Sequence, residues 1–128
     1  MGARAYVEGF VPFVHVRDVR RATAFYELFG FEVRNVYEVE GRRVWCWLER
    51  NQARLMLAEA SDPVDPEVQG VLFFLYAHDL EELHRSLGEA GLDPGPIVPG
   101  APGPDREFRV LDPDGYCIMV TDALVPPG

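Results

Sequence analysis

Hydrophobic and polar residues alternate along the first half of the chain in patterns that predict a strand, a helix and three further strands. Residues 10–16 alternate as a strand in which Pro12 marks an edge position or an entry point. Asp18 is a suitable N-cap, and apolar residues at helical spacing predict a helix over residues 19–29, which Gly30 ends. Period-two alternation then predicts strands at residues 31–39, 43–48 and 54–59.

The second half of the chain repeats this order of elements. Residues 70–76 form an apolar run typical of a strand, and Asp79 precedes a helical pattern over residues 80–90 that ends at Gly91. Proline and glycine are frequent over residues 93–104, so any strand there is short. Proline fixes φ and glycine accepts a positive φ in the turn that joins the last two strands. That turn is Asp112-Pro113-Asp114-Gly115, and the strands are expected at residues 107–111 and 116–121.

The two halves align without a gap over the first strand and the helix when the chain is shifted by about 61 positions. The helix caps Asp18 and Asp79 coincide in this alignment. Each half therefore reads βαβββ, and the predicted fold class is α+β. We expect the modules at about residues 8–60 and 70–123 of a single domain spanning residues 1–128. They would form a curved mixed sheet with the helices on its convex side and a half-barrel cleft on the other.

Composition and charge limit the kinds of ligand and partner that such a domain is expected to bind. The 128 residues carry 12 basic and 21 acidic side chains, a net charge of −9, which disfavours nucleic acid and anionic membrane surfaces and weakly favours a cationic ligand. Cys46 and Cys117 are too few for a disulfide framework or a four-thiolate metal site. Residues 1–10 lack the apolar core of a signal peptide and no apolar run has the length of a membrane span. We therefore expect a cytoplasmic protein.

Period-two alternation also assigns strand residues to the two faces of the sheet. Val14 and Val16 are expected beneath the first helix, and Val44, Cys46 and Leu48 in the core. The opposite face then carries aromatic side chains, on which planar ligands stack and to which cations are attracted. The candidate ligand-binding residues, from this face and its rim, are Phe13, His15, Trp45, Trp47, Glu59, Phe74, Tyr76, Arg106 and Met119.

Several of these residues also have a purely structural interpretation. Trp45 and Trp47 are equally expected in sheet packing or a dimer interface, and His15 as a buried histidine with satisfied hydrogen bonds. Glu59 either faces a cationic ligand or solvates a strand end. Arg106 either contacts the ligand or pairs with its neighbour in sequence on the rim. The residue types alone leave these alternatives open.

Two segments of the chain resemble the vicinal oxygen chelate superfamily, which includes glyoxalases, extradiol dioxygenases and bleomycin or fosfomycin resistance proteins. They are VRDVRRATAFYELFGFEV at residues 16–33 and REFRVLDPDGYCIMVTD at residues 106–122. In bleomycin-resistance proteins, a proline precedes an N-terminal arm that is exchanged between the subunits of a homodimer, and the resemblance implies the same for Pro12. The likeness to these proteins is carried by Val11-Pro12, Arg17-Asp18-Val19, residues 79–83 and Arg106-Glu107-Phe108.

The resemblance also indicates where the superfamily's enzymes hold a divalent metal. Their pattern places a histidine shortly before each helix-capping aspartate and a glutamate shortly after the glycine of the Asp-Pro-Asp-Gly turn. This chain has Val11, Leu72 and Met119 at those positions, and apolar residues at 55–57, where a further glutamate is expected. Aliphatic side chains donate no lone pair, and a single thioether is a poor ligand for hard or borderline metals. The resemblance therefore implies no metal site and no cofactor.

Two departures from the bleomycin-resistance pattern argue against bleomycin itself as the ligand. Drug binders of that family stack the ligand on an aromatic residue just ahead of the Arg-Glu-Phe stretch, where this chain has Pro104, and the first helix ends one residue early before Gly30. We therefore expect a homodimeric, metal-independent protein that sequesters another planar or cationic molecule. The alternatives are a metal-dependent lyase or dioxygenase with a displaced site built from His15, Glu59 and Glu107, and a fold retained for dimerisation or regulation.

Overall fold

The structure of the protein, a computed structural model, describes residues 5–99 and 106–122. These residues form two successive βαβββ modules, which confirms the α+β fold class predicted from the sequence. The first module contains β1 (Phe13–Val16), α1 (Val19–Glu27), β2 (Glu32–Val39), β3 (Arg42–Arg50) and β4 (Ala53–Glu59). The second contains β5 (Leu72–Ala77), α2 (Leu80–Glu89), β6 (Val98–Pro99), β7 (Arg106–Leu111) and β8 (Cys117–Asp122).

Local sequence explains where the first helix begins and ends. Asp18 has an extended backbone, and its side chain accepts a hydrogen bond from the amide of Arg21, as expected of an N-cap. The last helical residue is Glu27 rather than residue 29, because the amides of residues 28–30 bond to carbonyls three residues back and tighten the final turn. Gly30 follows with φ at +95°, a conformation that glycine adopts without a steric penalty.

The strands of each module form a four-stranded mixed sheet with the same topology. The orders are β1-β4-β3-β2 and β5-β8-β7-β6. In each sheet the first and last strands of the module are parallel, while the other pairs are antiparallel. The identical order in both sheets agrees with the repeat read from the sequence.

The helices cover one face of each sheet and leave the other face open. Val14 and Val16 are buried on the helix side with Cys46 and Leu48, as the alternation predicts. Val44 is only half-buried, because the register of β2 and β3 shifts at this point and leaves it without a partner opposite. A single apolar core nevertheless runs through both modules.

Hydrogen bonds from the first module to the Asp112–Gly115 turn tie the modules together. The hydroxyl of Tyr26 donates to Oδ2 of Asp112 over 2.6 Å. The backbone amide and Nε of Arg17 both donate to Oδ1 of Asp114, over 2.9 and 3.0 Å. Both aspartates are buried. We call these contacts the inter-module clasp.

Candidate functional site

Aromatic side chains lie on the open face of the first sheet, which we call face A. The strand register arranges the side chains in two rows that cross all four strands. Because residues opposite one another in neighbouring strands share a face, each row forms a continuous surface. One row is Phe13, Met56, Trp47 and Asn35, and the other is His15, Ala58, Trp45 and Tyr37.

Face A combines exposed rings with a carboxylate. Phe13 is 50% exposed, and its ring meets that of His15 edge-on, with the centroids 5.3 Å apart. The indole N–H of Trp47 donates to Oε1 of Glu49 over 2.9 Å, and Nε of Arg54 lies 3.8 Å from the same oxygen. Rings and carboxylate together suit a planar or cationic group, since both stacking and charge are available.

The open face of the second sheet, face B, repeats this arrangement. Leu72, Phe74 and Tyr76 point away from the helix side and are each about half exposed. Met119 lies opposite Phe74 on the neighbouring strand, and Thr121 lies opposite Tyr76. Faces A and B therefore carry seven of the nine candidate residues predicted from the sequence.

The other two candidates, Glu59 and Arg106, lie on the helix side of their sheets. Glu59 continues the buried row of Leu55 and Leu57, and its carboxylate binds Arg42 through two hydrogen bonds of 2.8 and 3.2 Å. These positions separate both residues from the aromatic side chains.

Arg106 pairs with acidic residues of its own module. Its two terminal nitrogens each donate to one oxygen of Glu81 over 3.0 Å, and its Nε donates to Asp122 over 3.2 Å. These contacts hold the pKa of Glu81 below its usual range, because the guanidinium hydrogen-bonds to the carboxylate and attracts its charge. The guanidinium of Arg106 is therefore committed to structural ion pairs.

Sequence reasoning missed four residues of the two rows on face A: Asn35, Tyr37, Met56 and Ala58. Tyr37 is 62% exposed and lies opposite Trp45, and Met56 lies between Phe13 and Trp47. The two-residue hairpin loop that pairs Val39 with Arg42 would place Tyr37 opposite Val44, and only the register shift between Tyr37 and Glu38 brings it opposite Trp45. Met56 required the parallel register of β1 and β4, which is set by tertiary structure. Pro104 lies outside the described residues.

Two cavities of the described structure lie away from both open faces. One, of about 380 Å³, lies at the start of α1, and Glu59 is the only one of the nine candidates that lines it. The other, of about 400 Å³, lies between α1 and the end of α2 and is lined by none of them. The seven candidates on faces A and B line neither of these two cavities.

Potential metal ligands are dispersed over the described structure. Within residues 5–99 and 106–122, no three histidine, cysteine, aspartate or glutamate side chains lie close enough together to hold a metal ion. Leu72 and Met119, at two positions where the resemblance expects ligands, lie on face B. Burial raises the pKa of the Cys46 thiol, which keeps it protonated and unsuited to binding metal.

Comparison with known proteins shows the family. The sequence profile of the Glyoxalase/Bleomycin resistance protein/Dioxygenase superfamily matches residues 9–120, which is most of the chain. The chain belongs to this superfamily. No curated protein sequence matches this member of the superfamily.

Solved structures share the fold of this superfamily member at low sequence identity. A bleomycin resistance determinant encoded on the transposon Tn5 is 20% identical, with a TM-score of 0.73 over 93% of this chain and 100% of that one. TioX from Micromonospora sp. ML1 is 20% identical, with a TM-score of 0.74 over 92% and 100%. Lactoylglutathione lyase from Agrobacterium tumefaciens is 19% identical, with a TM-score of 0.67 over 93% and 96%. These similarities establish the fold and leave the ligand open.

Neither helix of the superfamily member is long and apolar enough, in the part that the structure describes, to cross a membrane. Its cytoplasmic location stays a prediction from the sequence.

Proposed function

We propose that this superfamily member sequesters a small planar or cationic molecule on faces A and B, as a homodimer and without a metal ion or cofactor. The observation that carries the proposal is the exposure of aromatic residues in regular strands: Phe13, Phe74 and Tyr76 are 50%, 51% and 59% exposed. Contiguous apolar surface of this kind marks interaction sites. Covering it contributes about 25 cal/mol for each Å² of apolar area removed from water.

The chemistry of face A favours a ligand with a flat ring system or a positive charge. Trp45, Trp47 and Tyr37 offer ring faces, and Glu49 supplies a carboxylate next to the indole N–H of Trp47. The net charge of −9 attracts a cation from solution. A bleomycin-binding protein solved in complex with bleomycin shares this fold at 21% identity, which supports small-molecule binding in general.

The homodimer is supported by the N-terminal arm, residues 5–12. Tyr6, Val7 and Phe10 are 73%, 79% and 89% exposed, so these apolar side chains find almost no cover on their own chain. The carbonyl of Pro12 accepts a hydrogen bond of 2.9 Å from the amide of Met56, which fixes the point at which the arm leaves the sheet. We propose that the arm crosses to a second copy from this point.

Metal independence is supported by the side chains at the positions where the superfamily's enzymes bind their ion. Val11 and Leu72 have no donor atom, and Met119 has only a thioether. Without an ion that polarises a substrate oxygen, the proposed activity consists of binding alone.

Binding of proflavine, a planar cation, tests the proposal on the purified full chain. We expect saturable binding by isothermal titration calorimetry, weakened about tenfold or more by Phe74→Ala because a stacking partner is removed. Leu28→Ala is the matched control, since Leu28, the C-cap residue of α1, is 40% exposed and lies outside both faces. Equal loss in both variants, or no saturable binding of proflavine or of other planar cations in a thermal-shift screen, contradicts ligand binding.

Two further measurements test the remaining parts of the proposal. Light scattering coupled to size-exclusion chromatography is expected to give twice the mass of the chain, and removal of residues 1–10 is expected to weaken the dimer. Elemental analysis of protein purified without chelator is expected to give no stoichiometric divalent metal. One tightly bound divalent ion per chain would favour the enzyme alternative.

A further inference from the structure

Arginines outnumber carboxylates by one among the residues that line the cavity at the start of α1. It has a volume of about 380 Å³, and both α1 and the β2–β3 hairpin contribute to its walls. Four arginines and three carboxylates line it, although the whole chain has a net charge of −9. The lining residues are Arg17, Asp18, Val19, Arg20, Glu40, Gly41, Arg42, Arg43 and Glu59.

Arg43 is the lining residue that most needs an acceptor. Its Nε is buried and hydrogen-bonds to no other atom of the described structure. The register shift between β2 and β3 places Arg43 opposite Glu38 and leaves Val44 unpaired, an arrangement that re-aims side chains beside it. Buried N–H groups are nearly always paired in native proteins, so the Nε of Arg43 is placed for an acceptor that residues 5–99 and 106–122 do not supply.

The other three arginines are held in place by acceptors of their own. Arg17 is bound by Asp114, Arg20 by Glu38 over 2.5 Å, and Arg42 by Glu59 over 2.8 Å. A guanidinium has five N–H groups, so each ion pair fixes the side chain and leaves further donors. The cavity is therefore lined by cationic groups that are already ordered.

In the second module, ion pairs occupy the position that is equivalent to this cavity. There Arg106, the first residue of β7, binds Asp122, the last residue of β8, just as Arg42 binds Glu59 in the first module. Arg106 also binds Glu81 of α2 through two hydrogen bonds of 3.0 Å.

In the first module, the residue equivalent to Glu81 carries the opposite charge. The position of Glu81 in α2 corresponds to Arg20 in α1, because each is the second residue of its helix. Arg20 has the same charge as Arg42, whereas Glu81 has the opposite charge to Arg106 and binds it. The two modules share a fold, so the fold does not require this difference in charge.

We propose that this cavity binds the oxyanion group of a small molecule, a phosphate or a carboxylate. Arg43 and Arg20 donate to the oxyanion, and Val19 and Arg20, which line the cavity, stand at the N-terminus of α1, the positive end of the helix dipole. Val19, which lines the cavity, and Glu59 both lie on the helix side of the sheet, so the site is separate from face A. The inference stands independently of the ligand proposed for the aromatic faces.

Nuclear magnetic resonance titration of the full chain with inorganic phosphate, at constant ionic strength set with chloride, tests the site. We expect a saturable shift of the Arg43 Nε–H signal and of the Val19 and Arg20 amides. Acetate in a parallel titration shows whether a carboxylate also binds, and saturation by either anion supports an oxyanion site. Absence of saturation by both anions overturns the proposal.

Three variants decide which side chains are responsible. Arg43→Gln is expected to weaken phosphate binding about tenfold or more, because a charge-assisted donor is lost. Arg20→Glu restores the charge arrangement of the second module and is expected to abolish binding. Arg34→Gln is the control, since Arg34 is an exposed arginine of β2 that pairs with Glu32 outside the cavity. Unchanged binding in the first two variants, or equal loss in the control, overturns the proposal.

Discussion

Removing the hydroxyl of Tyr26 tests how far the inter-module clasp holds the structure together. Tyr26 is 1% exposed, and its hydroxyl donates to Oδ2 of Asp112, which is 5% exposed, over 2.6 Å. The amides of Asp114 and Tyr116 occupy Oδ1 of the same carboxylate, over 2.8 and 2.9 Å. Tyr26→Phe therefore keeps the ring in the core and leaves Oδ2 buried without its donor.

The expected loss of stability follows from the burial of both groups. A hydrogen bond to a charged acceptor contributes about 1.5–3 kcal/mol, and an acceptor left buried without a donor loses this contribution in full. For a domain of this size we expect the melting temperature to fall by about 5–15 °C. The Phe25 and Phe31 rings, whose centroids lie 5.0 and 6.1 Å from that of Tyr26, remain packed in the variant.

The loss is expected to depend on pH through Asp112. Burial raises the pKa of this carboxyl above its usual value, whereas the Tyr26 hydroxyl and two backbone amides lower it in part. The folded state thus binds its proton more tightly than the unfolded state, so stability falls as pH rises through the raised pKa. Tyr26→Phe removes one of the stabilising donors and raises this pKa further. The variant should therefore lose more stability at neutral pH than at acid pH, where Asp112 is neutral.

Urea unfolding followed by tryptophan fluorescence, at acid and at neutral pH, measures both effects. Tyr116→Phe is the control, because the Tyr116 hydroxyl donates over 3.1 Å to the carbonyl of His15 at an exposed contact. Its loss is expected to cost less than about 1 kcal/mol. If Tyr26→Phe lowers the free energy of unfolding no more than Tyr116→Phe does, the inter-module clasp does not hold the two modules together. If its cost is the same at both pH values, the argument from Asp112 ionisation is wrong.

Three further substitutions test local features of the fold. A Cβ on Gly115, which has φ at +85°, would lie 2.0 Å from the carbonyl oxygen of Pro66; Gly115→Ala should cost about 3 kcal/mol or more, or prevent folding, by circular dichroism. Glu40 has φ at 52° in a hairpin loop, where asparagine is preferred. Glu40→Asn should therefore raise the free energy of unfolding by about 0.5–1 kcal/mol, which appears as a higher urea midpoint. Asp18→Ala should cost about 1 kcal/mol in thermal unfolding, as the N-cap of α1 is lost. The expectations are contradicted if Gly115→Ala lowers the free energy of unfolding by less than about 1 kcal/mol, if Glu40→Asn lowers the urea midpoint, or if Asp18→Ala leaves the melting temperature unchanged.

The elements of the fold follow from local signals in the sequence. The caps Asp18 and Asp79 each accept a hydrogen bond from the amide three residues on, and both helices begin at the next residue. Alternation in β1 separates Phe13 and His15 from the buried Val14, since neighbouring side chains of a strand lie on opposite faces. Such signals act within a few residues, so one sequence is sufficient to read them.

The ion pairs of Glu59 and Arg106 required information that is not local. Alternation along the strands already places both residues on the helix side, since Glu59 follows Leu57 by two positions and Arg106 precedes Phe108 by two. Their partners, such as Arg42 and Glu81, are distant in sequence. Val44 was expected in the core and is half-buried, because a register shift between two strands depends on both of them. The faces of the open sheets were thus predictable, but the register shift and the ion pairs of the charged residues at the strand ends were not.

Comparison of equivalent positions in the two modules distinguishes residues that the core requires from residues that packing does not explain. Buried positions on the helix side, such as Val16 and Leu57 in the first module and Phe108 and Val120 in the second, are apolar. Phe13 and Phe74 are also equivalent, as are His15 and Tyr76, yet these aromatic residues are exposed within the chain. Exposed strand positions accept polar residues, so packing within a module does not account for aromatic rings at both. Under the proposed function, their partner is a ligand or a second copy of the chain. A second copy would bury them in the purified protein, whereas a ligand would bury them only once it is added.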